Sequence, residues 1–323
     1  MITQVQEAIT VEKRAVIVAP PGAGKTTIIP LKLLDNPNIN GQIIILEPRR
    51  LAARAAASQM AAILNERIGE TVGFKIKGLT KVSKQTRIVV MTEGILIRMI
   101  QSDPSLSEVG CIIFDEFHER SINSDLGLAL SLQLSEILRS DLRIVVMSAT
   151  LDVGPVSDLL DTKAPIISDG RAYDVNCEYL SRPRSKNNKL WENFAQLISD
   201  AFEMTEGGIL AFLPGEAEIR ATEKLLEEKL PNAAIIMPLY GSLPFEQQNK
   251  ILEPLKDEAL RKVVLSTSIA ETSLTISGIK VVVDSGYTRR SRYDPTSGMS
   301  LSLIHISEPT RLRRISYAVF CLK

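Results

Sequence analysis

A glycine-rich segment near the N-terminus, PPGAGKTT at residues 20–27, has the residue types that hold a phosphate chain. Glycines let backbone amides curl around phosphate oxygens, Lys25 brings positive charge to the β and γ phosphates, and the Thr26 hydroxyl can bind magnesium. The strict pattern has a glycine where this chain has Ala19, but an apolar segment precedes the loop and a helix is predicted to begin near Gly24. We therefore predict a nucleotide site formed by Pro21, Gly22, Ala23, Gly24, Lys25, Thr26 and Thr27.

An acidic pair directly follows another apolar segment, CIIF at residues 111–114. Asp115 stands where a carboxylate could hold magnesium through water, and Glu116 could orient and deprotonate a water that attacks the γ phosphate. Taken alone, the pair could simply end a strand in solvent. Together with the loop at 20–27, it predicts hydrolysis of a nucleoside triphosphate. The predicted catalytic residues are Lys25, Asp115 and Glu116, and the predicted magnesium site is Thr26, Asp115 and Glu116.

Short apolar segments position these residues, and they alternate with longer amphipathic ones. The first half of the chain contains AVIVA, IIIL, RIVVM, CIIF and a second RIVVM, and the second half contains ILAFL, AAIIM, KVVLS and KVVVD. Segments rich in Ile and Val that alternate with helices are typical of strands buried on both faces of a parallel sheet. The sequence therefore predicts two tandem α/β domains, at residues 1–165 and 166–300, with mainly parallel sheets flanked by helices.

The composition limits the classes of protein that this chain can belong to. Hydrophobic residues make up 45% and charged residues 24%, as in ordinary folded proteins. Because 38 basic residues balance 38 acidic ones, binding to a polyanion would need a local positive patch. Cys111, Cys177 and Cys321 are far apart and form no CxxC pair, which argues against disulfides or zinc and favours three buried thiols. No apolar run approaches the roughly 20 residues that span a bilayer, so we expect a soluble cytoplasmic protein.

Six further segments occur in a characteristic order. They are EPRRLAAR at 47–54, TEGIL at 92–96, DEFHER at 115–120, SAT at 148–150, FLPG at 212–215 and STSIAETSLTI at 266–276. With the loop at 20–27, this series resembles the motifs of superfamily 2 helicases, and DEFH with SIAETSLTI resembles the DEAH-box branch. The resemblance covers about residues 1–300. It implies two RecA-like domains, ATP and Mg²⁺ as cofactors, and movement along a single strand of nucleic acid, with RNA favoured.

Arginines near residue 50 are candidates for binding a phosphate backbone. Taken alone, the residues favour an exposed helix face that carries Arg50 and Arg54 one turn apart. The resemblance implies instead that Arg49, with Arg50 beside it, faces nucleic acid. It implies the same for Thr92, Glu93 and Gly94 and for the stretch around Thr267 and Thr272. Contacts to phosphate and sugar do not read bases, so a sequence-tolerant grip is expected.

Five other positions are candidates for sensing the nucleotide. A lone histidine such as His118 usually fills a core or surface position, but the resemblance implies that it bridges the ATP site to the second domain. Ser148 and Thr150 end a buried strand, and their hydroxyls could relay nucleotide state or simply cap the next helix. Ser268 and Glu271 lie near the end of the strand KVVLS, at the edge where α/β domains place ligands, and are predicted nucleotide contacts in a cleft facing the first domain.

The segment VVVDSGYTRRSRYDPTSGMSL contains a DPTSG turn between two arms and predicts a β-hairpin. The resemblance implies that such a hairpin parts nucleic-acid strands, and a simple surface hairpin is the alternative. Arg289, Arg290 and Arg292 are the residues whose replacement would distinguish these two roles.

The family pattern continues into a motif of the form QxxGRxGR, which this chain does not contain. The residues from about 301 to 323 match neither that motif nor a further domain, so we expect a foreign tail, with a short divergent natural tail as the alternative. Arg311, Arg313 and Arg314 do not have the spacing of the motif. Because an arginine finger contributes roughly 10³–10⁵ in rate, we expect weak hydrolysis by this chain.

Two functions of other classes compete with the helicase. A P-loop kinase or GTPase switch has little support, because neither the NK at residues 188 and 189, followed by Leu190 and Trp191, nor the NK at residues 249 and 250 continues into the NKxD pattern of a GTPase. A module that binds nucleotide and RNA without turnover is favoured by the missing arginines. Hydrolysis stimulated by a polynucleotide would favour the helicase, and binding without turnover would favour the module.

Overall fold

The computed structural model describes residues 1–20, 23–150, 153–162, 164–168, 175–179, 190–257, 259–271, 276–306 and 318–321. Pro21, Gly22 and Thr272, which are predicted site residues, lie outside these ranges. The chain divides into two compact units, Met1–Arg171 and Ala172–Lys323.

The first unit is a parallel sheet flanked by helices. Its strands are β1 (Arg14–Val18), β2 (Gln42–Glu47), β3 (Val72–Ile76), β4 (Leu79–Lys81), β5 (Ile88–Thr92), β6 (Val109–Phe114), β7 (Arg143–Ser148) and β8 (Ile166–Ile167). Its helices are α1 (Ile2–Val11), α2 (Lys25–Leu33), α3 (Arg50–Ile63), α4 (Glu93–Ser102), α5 (Ile122–Ile137) and α6 (Gly154–Leu159), with a 3₁₀ turn at Phe117–Glu119.

The order of strands in this sheet is β4-β3-β5-β2-β6-β7-β1-β8. Every neighbouring pair is parallel except β3 with β4. All residues of β6 and β7 are buried, which confirms the prediction of strands covered on both faces. Because β1, β6 and β7 run in the same direction, their carboxyl ends bring the phosphate loop, Asp115 and Ser148 to one edge of the sheet.

The second unit has the same α/β organisation. Its strands are β9 (Cys177–Tyr179), β10 (Gly208–Phe212), β11 (Ala234–Leu239), β12 (Arg261–Ser266), β13 (Ile279–Asp284), β14 (Tyr287–Asp294), β15 (Met299–Ile306) and β16 (Ala318–Cys321). Its helices are α7 (Leu190–Met204), α8 (Glu216–Glu227) and α9 (Phe245–Leu252), with a 3₁₀ turn at Ser268–Ala270. The main sheet has the order β11-β12-β10-β13-β16-β9, and its paired strands are parallel.

The strands β14 and β15 form the predicted hairpin as a separate two-stranded antiparallel sheet. Its turn is held by Asp294, whose carboxylate accepts a hydrogen bond from the backbone N–H of Thr296 at 3.0 Å. Gly298 has φ +67°, a conformation that suits glycine. The second arm reaches Ile306, so residues 301–306, which we expected to begin an atypical tail, belong to the hairpin.

The cysteines are only partly as predicted. Cys111 is buried in β6, and this burial raises the pKa of its thiol to about 12. Cys177 is exposed, so the prediction that all three thiols are buried was wrong. Its strand β9 lies at the edge of the sheet with all three residues exposed. Within the described residues, no helix has the length and apolar character needed to cross a membrane.

Candidate functional site

Helix α2 places the predicted phosphate-binding lysine at its first residue. Gly24 forms the N-cap with φ +73°, a left-handed conformation that costs glycine little and other residues more. The backbone N–H groups of the first turn of a helix lack partners within the helix, so they are available to an anion. Lys25 is buried, and its Nζ lies 3.3 Å from the carbonyl oxygen of Ala19 and 3.6 Å from Oε1 of Glu116. The cation is therefore held at the mouth of the loop, beside the acidic pair.

Asp115 directly follows β6 and contacts Thr26, the second residue of α2. The hydroxyl of Thr26 donates a hydrogen bond to Oδ2 of Asp115, and the backbone N–H of Glu116 donates to Oδ1 at 2.8 Å. Burial, and next the charge of Glu116, raise the pKa of Asp115 to about 6, although Lys25 and Thr26 act in the opposite direction. A nearby cation would relieve this unfavourable burial of a carboxylate.

These oxygen donors fit magnesium. Mg²⁺ prefers hard oxygen ligands and is usually held by one or two protein groups together with water and substrate phosphates. Thr26 and Asp115 supply such a pair. Among the described residues, no group of three or more His, Cys, Asp or Glu side chains is arranged to hold a metal ion by itself. The donor set therefore suits a metal that binds together with a nucleotide.

Glu116 and His118 connect this site to the SAT segment. Glu116 has φ +49° and lies between Nζ of Lys25 and Nδ1 of His118, which is 3.4 Å from its Oε2. The same Nδ1 accepts a hydrogen bond from the backbone N–H of Ala149 at 3.2 Å. Nδ1 of His118 therefore lies between the carboxylate of Glu116 and the backbone N–H of Ala149, at the start of the SAT segment.

Ser148 and Thr150 contact each other instead of capping a helix. The Ser148 hydroxyl lies 3.2 Å from the carbonyl oxygen of Thr150 and 3.2 Å from its backbone nitrogen. Helix α6 has Val153 at its N-cap, so neither hydroxyl residue occupies that position. Ser148 is buried at the end of β7, and Thr150 is exposed. This geometry leaves the relay role of the two hydroxyls as a prediction.

The three arginines after β2 have different surroundings. Arg49 precedes α3, and its Nη2 lies 3.4 Å from Oε2 of Glu119. Arg50 is exposed in the first turn of α3. The guanidinium of Arg54 lies over the ring of Phe74 at 5.9 Å, and burial lowers its pKa. Arg54 is therefore packed against the protein, and the contact of Arg49 and Arg50 with a phosphate backbone stays a prediction.

The TEG segment forms the start of α4. Thr92 is the N-cap, and among the described residues its hydroxyl makes no capping hydrogen bond to the helix. The side chain of Glu93 is buried and accepts a hydrogen bond from the hydroxyl of Ser121. Since this carboxylate points inward, a nucleic-acid contact at Glu93 would have to come from its backbone. Gly94 is partly exposed, and a Cβ added there would meet nothing within 4 Å.

In the second unit, the predicted residues lie at the carboxyl end of β12. Thr267 is the N-cap of the 3₁₀ turn that contains Ser268, and Glu271 ends this turn. All three side chains are partly exposed. The sequence therefore placed these three residues correctly at one strand end, and their ligands stay predictions.

The hairpin is attached to this unit near its base. Nη2 of Arg289 lies 3.0 Å from Oε1 of Glu218 in α8, and the ring of Tyr287 contacts that of Trp191 edge-on, with centroids 6.5 Å apart. The side chains of Arg290 and Arg292 lie outside the described part of the chain. The Arg289 side chain thus anchors the hairpin.

Residues 3–159 match the model of the DEAD/DEAH box helicase family, and residues 189–307 match that of the helicase conserved C-terminal domain. The chain belongs to the DEAD/DEAH-box helicases. The second match extends past residue 301, where we expected an atypical tail to begin. The origin of the tail stays a prediction.

Two relatives and one solved structure show how much of such a helicase this chain represents. It is 43% identical over 300 residues to the ATP-dependent RNA helicase HrpB of Escherichia coli, covering 93% of this chain and 37% of HrpB. It is 35% identical over 303 residues to human ATP-dependent RNA helicase DHX33, covering 89% of this chain and 42% of DHX33. A crystal structure of the E. coli DEAH/RHA helicase HrpB matches with a TM-score of 0.91 at 40% identity, covering 99% of this chain and 42% of that one. The chain thus spans about two fifths of the length of these proteins.

One acidic residue of this DEAD/DEAH-box site was missed from the sequence. Glu47 ends β2, next to β6, and is fully buried. Among the described residues, no donor serves either of its carboxylate oxygens. Burial, followed by the charges of Asp115 and Glu116, raises its pKa well above the usual range, and in its protonated form it can hydrogen-bond Asp115. The sequence does contain a signal for Glu47, because it is a charged residue at the carboxyl end of an otherwise apolar strand. Asp115 stands at the corresponding end of β6.

Replacing Asp115 by asparagine should stabilise the nucleotide-free helicase chain above pH 6. The folded-state pKa of Asp115, about 6, exceeds its ordinary value of 3.8, so ionisation of this carboxyl group destabilises the fold. Its contribution to stability is fully present below pH 4 and is lost as the pH rises through 6. Two pKa units correspond to about 3 kcal/mol. Urea unfolding at pH 4.5 and 7.5 should therefore show the advantage of the variant growing with pH.

The matched control for this prediction is Asp141→Asn. A hydrogen bond from Arg139 lowers the pKa of Asp141 to about 2, so its charge is constant in both states over this pH range. Its effect on the free energy of unfolding should not change between pH 4.5 and 7.5. If Asp115→Asn gave an equally flat difference, burial would not be straining the Asp115 carboxylate.

Proposed function

We propose that this chain is the motor core of an ATP-dependent RNA helicase, which couples ATP hydrolysis to movement along single-stranded RNA. The observation that carries this proposal is the convergence of Lys25, Thr26, Asp115 and Glu116 at one edge of the first sheet. A cation, a hydroxyl and two carboxylates in this arrangement are what magnesium-dependent hydrolysis of a nucleoside triphosphate requires. The names of the relatives, both ATP-dependent RNA helicases, support ATP and RNA as the ligands. We place its action in the cytoplasm.

The chemistry follows from the positions of the side chains. Lys25 and the N-terminal amides of α2 hold the β and γ phosphates, together with Gly22, which lies outside the described residues. Thr26 and Asp115 would hold Mg²⁺, which would neutralise phosphate charge when bound. Glu116 accepts a proton from the attacking water while the water oxygen bonds to the γ phosphorus. The bond from the γ phosphorus to the oxygen that bridges the β and γ phosphates breaks in the same step. The products are ADP and phosphate, and the proton is left on Glu116.

The second unit supplies further contacts under this proposal. Ser268 and Glu271 contribute to nucleotide binding, and Thr267 contributes to binding the RNA backbone. Thr272, outside the described residues, has the same role as Thr267. Residues 1–165 and 166–300 are the two proposed domains, although β8, at residues 166–167, pairs with β1 of the first. These assignments rest on the family resemblance together with the exposed positions at the end of β12.

Gly94 provides a test of the RNA-binding face. Glycine in a helix costs roughly 0.5–1 kcal/mol relative to alanine. Among the residues that the structure describes, no atom within 4 Å of the Cβ position requires glycine at residue 94, so the approach of a ligand explains it better than packing does. We expect Gly94→Ala to raise the free energy of unfolding by about that amount and to weaken binding of single-stranded RNA.

Gly154→Ala is the matched control for this change. Gly154 also begins a helix, and an added Cβ there would likewise meet nothing within 4 Å. It should leave RNA affinity unchanged, measured by fluorescence anisotropy, but it should stabilise the chain less than Gly94→Ala, because Pro155 follows and disfavours helical backbone for an alanine at residue 154. Equal RNA affinity of both variants would remove Gly94 from the proposed interface.

The experiment that tests the function is ATP hydrolysis with and without single-stranded RNA, beside a Lys25→Ala variant. Stimulation by RNA that is lost in the variant would support the motor core. A second candidate function is a module that binds nucleotide and RNA without turnover. Binding of both ligands with no hydrolysis would establish that alternative.

A further inference from the structure

The segment between β6 and α5, residues 115–121, contacts several functional segments of the first unit. At its start, Asp115 meets Thr26 of the phosphate loop. At its end, Oε2 of Glu119 lies 3.4 Å from Nη2 of Arg49, and the hydroxyl of Ser121 donates to Glu93. The nucleotide site and the two segments proposed to hold RNA are thus joined through seven consecutive residues. We call this stretch the β6–α5 segment.

The backbone of the β6–α5 segment is held in an unusual conformation. Glu116 has φ +49° and Arg120 has φ +48°, and both lie in the left-handed region that residues other than glycine rarely adopt. Such conformations persist where surrounding contacts fix them. Phe117 provides one such contact, because it is buried and packs edge-on against Phe114 with ring centroids 6.2 Å apart. The segment therefore has a fixed centre and a tight bend on each side of it.

Ser121 has two roles that can be separated. Its oxygen accepts a hydrogen bond from the backbone N–H of Ser124 at 2.9 Å, which caps helix α5. Its hydroxyl proton is not needed for this cap and is donated to the buried carboxylate of Glu93. The second bond ties the first turn of α4, the TEG segment, to the end of the β6–α5 segment.

The carboxylate of Glu119 pairs with Arg49 and offsets part of its positive charge. The two side chains are partly buried, with 16% and 24% of their surfaces exposed, so solvent screens their attraction less than it would on an open surface. An arginine bound to a carboxylate is less available to a phosphate. A movement of Glu119 away from Arg49 would therefore strengthen the attraction of RNA at this point, and a movement towards it would weaken that attraction.

Under the proposed function, a bound nucleotide changes the contacts of Asp115 and Glu116, at the start of the β6–α5 segment. In this structure Lys25 contacts Glu116, and Thr26 donates to Asp115. Under the proposed function, the lysine turns to the phosphates and the threonine to the metal, so both acids lose these partners. We propose that the β6–α5 segment transmits this change to the RNA-binding face, with Glu119 and Ser121 as positioning residues that act on Arg49 and Glu93.

This inference rests on the proposed function, and its test does not need turnover. The affinity of the chain for fluorescent single-stranded oligouridine RNA would be measured by anisotropy, with and without AMP-PNP and Mg²⁺. The measured quantity is the factor by which the nucleotide analogue changes RNA affinity, which is typically about 5–150-fold for coupled sites. Glu119→Gln and Ser121→Ala should reduce this factor by roughly 2- to 30-fold. Their affinity for AMP-PNP without RNA should stay unchanged.

Two variants serve as controls. Ser121→Thr keeps both the cap and the donated proton and should restore the coupling factor. Glu136→Gln makes the same type of change in the exposed pair with Arg14, 3.5 Å apart, which lies outside the β6–α5 segment and both RNA-binding segments, and it should have no effect. If Ser121→Ala fails to fold because α5 loses its cap, Glu119→Gln, which leaves the cap intact, decides the question.

The possible outcomes distinguish failure of this inference from failure of the proposed function. A full coupling factor in Glu119→Gln and Ser121→Ala, or an equal loss in Glu136→Gln, would overturn the inference and leave the proposed function standing. An unchanged chain whose RNA affinity does not respond to AMP-PNP would overturn both. Loss confined to the two variants, with rescue by Ser121→Thr, is the expected result.

Discussion

Replacing Glu116 by glutamine is expected to lower the rate of ATP hydrolysis by roughly 10²–10⁴-fold, the usual contribution of a positioned general base. Glutamine has nearly the same shape and can still accept a hydrogen bond from water, but it does not take up the proton. Glu116 lies 3.6 Å from Nζ of Lys25, so the variant also removes one negative charge beside the phosphate site. Nucleotide affinity should therefore be kept or slightly improved.

Single-turnover hydrolysis of labelled ATP and equilibrium binding of a fluorescent ATP analogue would measure the two quantities separately. Glu136→Gln is the control, because it makes the same chemical change in an exposed pair with Arg14. It should alter neither quantity. If Glu116→Gln lost affinity and rate in equal proportion, Glu116 would be a binding or structural residue and not the base.

The second large effect is expected for Lys25→Ala, which should weaken ATP binding severely. Removing one partner from a buried charge pair costs about 2–5 kcal/mol, which corresponds to roughly 30- to 4000-fold in affinity. Lys25 is 3% exposed, so its proposed pair with the ATP phosphates is a buried one and this estimate applies. The same change removes the cation that lowers the pKa of Asp115, so that pKa should rise further in the variant.

Lys32→Ala is the control for this change, because Lys32 is an exposed lysine in the last turn of the same helix. Isothermal titration with ATP and Mg²⁺ should show near-normal affinity for it. Comparable affinity of Lys25→Ala and the unchanged chain would mean that the lysine does not reach the phosphates, and the assignment of the loop would be wrong.

Much of the first unit could be predicted because its strands are buried on both faces. Continuous apolar segments mark β1, β2, β5, β6 and β7, and their parallel direction fixes which residues share the carboxyl edge. Strands β3 and β4 were missed for a physical reason. β3 contains Gly73 and the half-exposed Lys75, and β4 is largely exposed, so neither has an apolar run. Their strand structure depends on pairing with neighbours.

The site was predictable in its local parts and not in its long-range contacts. The positions of Lys25, Thr26 and Asp115 follow from motif and strand ends. The hydrogen bond from Ser121 to Glu93 joins residues 28 positions apart, and nothing in the spacing of the two reveals it. The inward direction of Glu93 is a consequence of how α4 and α5 pack, which a single sequence does not specify.

The attachment of the hairpin near its base makes it a lever arm. Eight paired residues on each strand give a ribbon roughly 25 Å long, at about 3.3 Å per residue. The described anchors, Tyr287 against Trp191 and Arg289 against Glu218, both lie within the first three residues of β14, far from the turn at Asp294. A force applied at the turn is therefore delivered as torque on these two contacts. Among the described contacts, the resistance of the hairpin to such a force therefore comes from its base.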